Sequence, residues 1–338
     1  MPEMNALFEQ KDNWIGGDGD YSVALTPERT LWLFSDTWIG SVRNGHRTNA
    51  AMVNNTLALE DGHGAGAKIQ FIVRHDADGK PTAFLTPENK RGWFWPQSAA
   101  CIGQRLFMFL AQEEKTDAGG AFGFRQIGRS LGVVTNALAP PFEWRVEQHP
   151  LPCADFSAKR QLTFGAANVI DGEFLYIYGT DEDKPGSRER YLILARVPTN
   201  QVADFSAWRY YAEGRWVVDY HEASRLADRM ATECSVSFLP KFGQYLLVYT
   251  DRGLSPKIEV RTAPTPWGKW SASTTVFECP ETRKHVFCYA AKAHPSEDAG
   301  DGVVISYVAN AFDFSHVMAD ASLYWPRFIR VSLARRER

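Results

Sequence analysis

Five times along this chain a short strand runs through a turn into a short, strongly apolar strand, and that recurrence limits the fold more than any other feature. The first strands fall at 21–25, 96–101, 165–169, 233–237 and 289–293, and the last four are built of small residues. Their partners are Leu31-Trp32-Leu33-Phe34, Leu106-Phe107-Met108-Phe109-Leu110, Leu175-Tyr176-Ile177-Tyr178, Leu246-Leu247-Val248-Tyr249 and Val303-Val304-Ile305-Ser306-Tyr307. The turns carry residues 26–29, Gly103, Asp171-Gly172, Gly243 and Asp301-Gly302. Self-similarity at a fixed spacing is the mark of a repeat architecture. The small residues have a steric reason. In a β-propeller the innermost strands of all blades crowd around one axis, where bulky side chains do not fit.

Third strands are expected at 52–59, 130–135, 191–197, 258–262 and 328–333, and outer strands at 69–74, 142–147, 208–212 and 273–277. That gives four strands in four units and three in the fifth, for which residues 5–9 are the expected fourth strand, closing the ring. The reading is an all-β, five-bladed β-propeller forming a single domain over residues 1–338. Residues 113–129 read as a long loop and 221–228 as a short helix.

Composition narrows the function. At 44% hydrophobic and 13% aromatic, with 11 Trp, the chain can fill several cores, and a net charge of −3 gives no electrostatic footprint for nucleic acid. No apolar run is long enough to span a membrane. The first residues lack a signal-peptide pattern, so the expectation is a cytoplasmic protein, or a secreted or periplasmic one had a leader been removed. The five cysteines are scattered, with no CxxC pair, and favour neither a disulfide framework nor zinc. No cofactor is expected; the one exception left open is an axial calcium ion.

The chemistry concentrates where inner strands begin. Asp18 and Asp20 precede the first hairpin and Asp36 follows it, so the hairpin brings them to one edge of the sheet, amid glycines that permit sharp turns. Trp95, Glu233, Tyr289 and Lys292 occupy the corresponding points of other blades, with Trp93 and Phe94 beside Trp95. Asp181, Asp251 and Asn310 end second strands, as Asp36 does. Acids on several blades with aromatic faces on others suit a sugar, because glycoside hydrolysis needs two carboxyl groups across the scissile bond. Asn55 and Asn168 read first as backbone-bonding residues near the axis, with substrate contact as the alternative. Lys292 is a candidate partner for Glu233, and Arg252 for Asp251. His294 is either an axial metal ligand or a satisfied core histidine, and Cys234 and Cys288 read as small core residues.

Gly17-Asp18-Gly19, Leu31 to Trp38 and Asn54-Asn55 resemble the opening blade of five-bladed propeller glycoside hydrolases, most nearly the endo-D-arabinanases of glycoside hydrolase family 183. Residues 289–295 with 305–310 resemble the last blade of related propellers. The first resemblance implies a furanoside or arabinan-type glycan as substrate, with Asp18 and Asp36 as the catalytic carboxylates. The broader arabinanase and xylosidase propellers place the acid on a later blade, which implies Glu233. A lectin-like propeller and a sugar-directed lyase or transferase are the competing functions. Only the enzymes require a carboxyl that holds its proton near neutral pH.

Overall fold

The opening hairpin forms in the register its alternation demands: Tyr21–Thr26 pairs antiparallel with Arg29–Phe34, setting Tyr21 opposite Leu33 and Val23 opposite Leu31. Thr56–Asp61 and Lys68–Ile72 complete the first sheet. The computed structural model describes residues 1–333 except 119–121, 185, 187, 296 and 298–301. The expected turn at Asp301 lies outside the described residues.

The second sheet comprises Trp93–Ile102, Arg105–Lys115, Phe124–Val134 and Glu147–Pro150. The third is built on Arg160–Asp171, Phe174–Glu182, Arg190–Pro198 and Arg209–Ala212, with one short strand added at each edge. The fourth comprises Cys234–Leu239, Gln244–Thr250, Lys257–Ala263 and Thr274–Glu278. The fifth comprises Val286–Ala293, Gly302–Ala311 and Pro326–Ser332. From the first sheet to the fifth, successive inner strands pack against one another, and apolar cores fill the gaps between successive sheets. The core between fifth and first sheets, with Trp14, Trp32, Phe34, Val304 and Phe328, turns the row into a ring. The fold is an all-β propeller.

Crowding at the axis shapes the inner strands. Those of the second, third and fifth sheets slip register between Pro96 and Ala99, Phe164 and Ala167, and Tyr289 and Lys292. Such bulges re-aim side chains without ending the strand. Gly165 sits in one of them at φ +104, where a Cβ would lie 2.6 Å from the Phe109 ring.

Five expectations need correction. The outer strand expected at 142–147 is a 3-10 turn at Pro141–Glu143 followed by a strand only from Glu147 to Pro150. Residues 5–9 are not a strand: Pro2–Phe8 is a helix, because Pro2 starts it and Met4 and Phe8, four apart, share a buried face. It still secures the fifth sheet, since the Met1 amino group donates to Phe328 O at 2.8 Å and Asn5 Oδ1 accepts from Phe328 N at 2.8 Å. The strand expected at 52–59 is broken at Asn54-Asn55. His46–Val53 instead joins Asp12–Gly17 and Thr37–Arg43 in a separate three-stranded sheet. Much of the loop expected at 113–129 is strand, extending the second sheet's hairpin. The helix expected at 221–228 is a single 3-10 turn, Tyr220–Glu222, capped by Asp219.

Candidate active site

The two ends of the first hairpin meet as the sequence requires. Asp18 N donates to Asp36 O at 3.2 Å, and Ser35 N donates to Asp18 O at 2.8 Å. Gly19 between them has φ +85, and a Cβ there would lie 2.8 Å from Ser35 N, so this crossing needs glycine. Asp18 and Asp36 are thereby fixed side by side at the mouth of the ring.

Their environments differ. Asp18 Oδ2 accepts from the hydroxyls of Tyr289, at 2.5 Å, and Tyr324, at 2.8 Å. Asn310 Nδ2 donates to the same Tyr289 oxygen at 3.3 Å. Asp18 Oδ1 is buried and has no partner. Burial first, then the negative charges of Asp36 and Glu233, push the Asp18 carboxyl well above the usual range, against the pull of its two tyrosines. Asp36 Oδ1 accepts from Trp95 Nε1 at 2.8 Å and from Asn54 Nδ2 at 3.1 Å. Burial raises Asp36 to about 6, with Trp95 and Asn54 favouring its ionised form.

Glu233 approaches from across the ring. Its Oε1 lies 3.3 Å from Lys292 Nζ, and its carboxyl is raised by burial despite that cation. Lys292 is 1% exposed; Nζ also donates to Ala290 O at 2.7 Å, stands 3.6 Å from Asp20 Oδ1 and lies 4.4 Å from the centre of the Tyr21 ring. The bulge that turns it inward contains Ala290 at φ +62. Asp20 is fully buried and accepts from Ser306 Oγ. His294 connects to the same group: its Nε2 is 2.7 Å from Ser306 Oγ and its Nδ1 is 2.7 Å from Ser22 Oγ. Since Ser306 spends its proton on Asp20, Nε2 carries the imidazole hydrogen and Nδ1 accepts from Ser22. Burial drives His294 down to about 3, so it is neutral. Both ring nitrogens thus have hydrogen-bond partners, as a satisfied core histidine requires.

Glu113 and Arg129 belong to the site and were missed, because their stretch read as loop. Glu113 is buried opposite Trp93 and raised to about 8, chiefly by burial and further by Asp36, while Arg129 opposes the rise. Arg129 is buried and donates to Gln97 Oε1 and, at 3.3 Å, to Thr163 Oγ1. The apolar run 106–111 gives way to Gln112-Glu113-Glu114-Lys115, so no local signal marked the strand's continuation. Tyr324 was missed as well, and only its place just ahead of the final strand hinted at it.

Other expected residues lie elsewhere or do other work. Asn55 is fully buried, donating to Leu85 O and Phe94 O, both at 2.8 Å, and accepting from Leu85 N at 2.7 Å. It clamps a loop and has no face toward the mouth. Asn168 lines an axial cavity of about 80 Å³ with Ser98, Ser235 and His294, which Lys292 also lines. Asp181 is neutralised by Arg160 at 2.7 Å and Arg225 at 2.8 Å, and Asp251 by Arg229. Arg252 pairs with Glu189, not with Asp251. Phe94 is core, whereas Trp93 and Trp95 are half-buried.

Fold and site together define a β-propeller with a carboxylate-lined mouth. Within that class the chain belongs to the family described as Domain of unknown function (DUF5005), which matches residues 2–333. No curated protein matches the sequence. Among solved structures it is similar to a protein from Bacteroides ovatus ATCC 8483 whose name gives it provisionally as a hydrolase, with TM-score 0.77, 18% identity, and coverage of 98% of this chain and 89% of that one. It is also similar to the GH43_1 enzyme from Xanthomonas citri complexed with xylose, at TM-score 0.54, 13% identity, and coverage of 99% and 94%. The GH43 beta-xylosidase/alpha-arabinofuranosidase CoXyl43, from a compost metagenome, matches at TM-score 0.54, 11% identity, and coverage of 99% and 94%.

Proposed function

We propose that the protein is a glycoside hydrolase acting on a furanoside or arabinan-type glycan in the manner of an endo-D-arabinanase. The observation that carries this reading is the pairing of Asp18 and Asp36: adjacent carboxyls at one mouth, one pushed far toward its protonated form and the other ionised above about 6. Asp18 has both oxygens assigned. Oδ2 takes two phenolic hydrogens, leaving Oδ1 to hold the proton of the acid form, and Asp18 is the acid assigned to the departing glycosidic oxygen. Asp36 keeps Oδ2 clear of Trp95 and Asn54, which both bond Oδ1. That oxygen is the one to act as base or nucleophile. Glu233, charge-paired with Lys292, adds negative potential that holds the proton on Asp18 and favours an oxocarbenium-like centre. Support for a sugar substrate also comes from fold relatives solved with xylose and with xylotriose.

The test is a panel of plant and bacterial glycans with reducing-end detection, arabinans included. Asp18→Asn and Asp36→Asn should each lower turnover by roughly 10²–10⁴-fold while preserving melting temperature and oligosaccharide binding. Glu233→Gln should lower it less; a loss as deep as that of Asp18→Asn would make Glu233 the acid. Binding without cleavage by the unaltered protein would defeat the hydrolase reading and leave a lectin, whereas full activity in the double Asn variant would defeat the assignment of Asp18 and Asp36 to the chemistry.

A further inference from the structure

The hairpin of Arg105–Lys115 and Phe124–Val134 does more than extend the second sheet. Beyond its strands, Thr116 N bonds Gly123 O at 2.8 Å, and Phe122 then meets aromatic rings of the fifth sheet. Its ring centre lies 5.9 Å from that of Phe287 and 6.1 Å from that of Phe312, which are themselves 4.7 Å apart. The second and fifth sheets are not neighbours, because the first lies between them. The hairpin therefore crosses the mouth of the first sheet, where Asp18 and Asp36 stand. Its near end confirms the path: Phe124 packs edge-on against Trp95 at 4.6 Å, and Trp95 holds Asp36. At the far end Phe287 lies 5.4 Å from Tyr289, which holds Asp18.

Phe122 and Phe312 are 49% and 50% exposed, while Phe287 beneath them is buried. Two half-exposed rings set on a buried third form an aromatic floor, contiguous through Tyr289 with the carboxylates. We propose that Phe122, Phe287 and Phe312 are a stacking subsite for a sugar ring remote from the cleaved bond, so that the crossing hairpin makes the enzyme prefer longer oligosaccharides. Flat apolar faces of sugar rings match exposed aromatic faces, and this floor continues through Tyr289 to Asp18. The inference rests on the glycoside hydrolase reading.

The experiment uses the full chain and a length ladder of whichever glycan the panel shows to be cleaved. Phe312→Ala and Phe122→Ala should raise KM for the longest oligomers by about 5–10-fold, the worth of one aromatic contact, with kcat within about twofold. KM for the shortest cleaved oligomer should not move. Phe312→Leu keeps an apolar side chain against the hairpin but loses the aromatic face; it should behave as Phe312→Ala, and Phe312→Trp should restore the long-chain preference. Equal effects at every length, or wild-type KM in Phe312→Leu, would overturn the subsite and show the rings only pin the hairpin. Absence of cleavage and binding across the panel would instead defeat the hydrolase reading itself, and this subsite with it.

Discussion

Replacing Tyr289 by Phe removes one hydrogen bond from Asp18 and leaves the ring in place. The hydroxyl donates to Asp18 Oδ2 at 2.5 Å, and Tyr324, at 2.8 Å, remains as the second donor. A bond to a charged acceptor contributes about 1.5–3 kcal/mol, and each pKa unit corresponds to roughly 1.4 kcal/mol. Asp18 is half-buried, so solvent screens part of that contribution, and a rise of about one pKa unit is expected. The direction follows from the donor: it favours the ionised carboxylate, so its loss favours the protonated acid. If Asp18 donates the proton, activity requires it protonated, and the alkaline limb of the kcat/KM–pH profile should move up by about one unit. If Asp18 is instead the ionised partner, the acid limb should move up and activity at neutral pH should fall. Tyr324→Phe should move the same limb in the same direction. The assay is a pH series of initial rates on the cleaved glycan, with melting curves as a fold control. Profiles of both variants that superimpose on the wild type would refute the assignment of Asp18 to the chemistry.

Burial raises Glu113 from 4.5 to about 8, so it binds its proton more tightly folded than unfolded. That stability is complete below about pH 4.5 and is lost as pH climbs through about 8, a change of at most roughly 4–5 kcal/mol. Denaturant titrations of Glu113→Gln should therefore match or fall below the wild type at pH 5 and exceed it at pH 9; a difference independent of pH would sink the argument. Phe8 is fully buried against Trp32, Phe34, Phe71 and Phe328, and Phe8→Ala should cost about 3–5 kcal/mol in the same titrations, whereas an unchanged midpoint would mean the N-terminal helix does not brace the ring.

What the sequence made legible was whatever depends on short-range geometry. A two-residue period between turn residues places Tyr21 opposite Leu33, and with that pairing Asp18 and Asp36 must meet. Repetition of small-residue strands identified the inner strands, and from them Glu233, Tyr289 and Lys292. Contacts set by long excursions were not legible. Tyr324 reaches Asp18 from 306 residues away, at φ +66. Asp181 and Asp251 look like Asp36 in sequence, since each follows an apolar strand. Only the tertiary arrival of Arg160, Arg225 and Arg229 reduces them to ion pairs. Glu113 was hidden by its own polarity, because Gln112-Glu113-Glu114 resembles the start of a loop when pairing with Trp93 is unseen. The N-terminal helix takes the position of a strand by different means, with the Asn5 side chain supplying the acceptor that a neighbouring backbone would have offered to Phe328.

The charge balance at the mouth decides which carboxyls keep their protons. Asp18, Asp20, Asp36, Glu113 and Glu233 converge there, against the buried cations Lys292 and Arg129. Lys292 lies between Asp20 and Glu233, 3.6 Å and 3.3 Å from their oxygens, and its charge is divided between that pair. Arg129 faces Glu113, but its own hydrogen bonds go to Gln97 and Thr163. Asp18, Asp36 and Glu113 are left with too little positive charge to ionise together in a poorly solvated site. Of these, Asp36 has two N–H donors on one oxygen and is held to about 6, while Glu113 rises to about 8 and Asp18 rises well above the usual range. The negative charge of Asp36 contributes to both rises. An ionised Asp36 beside two carboxyls pushed toward their protonated forms is therefore the stable arrangement of this cluster.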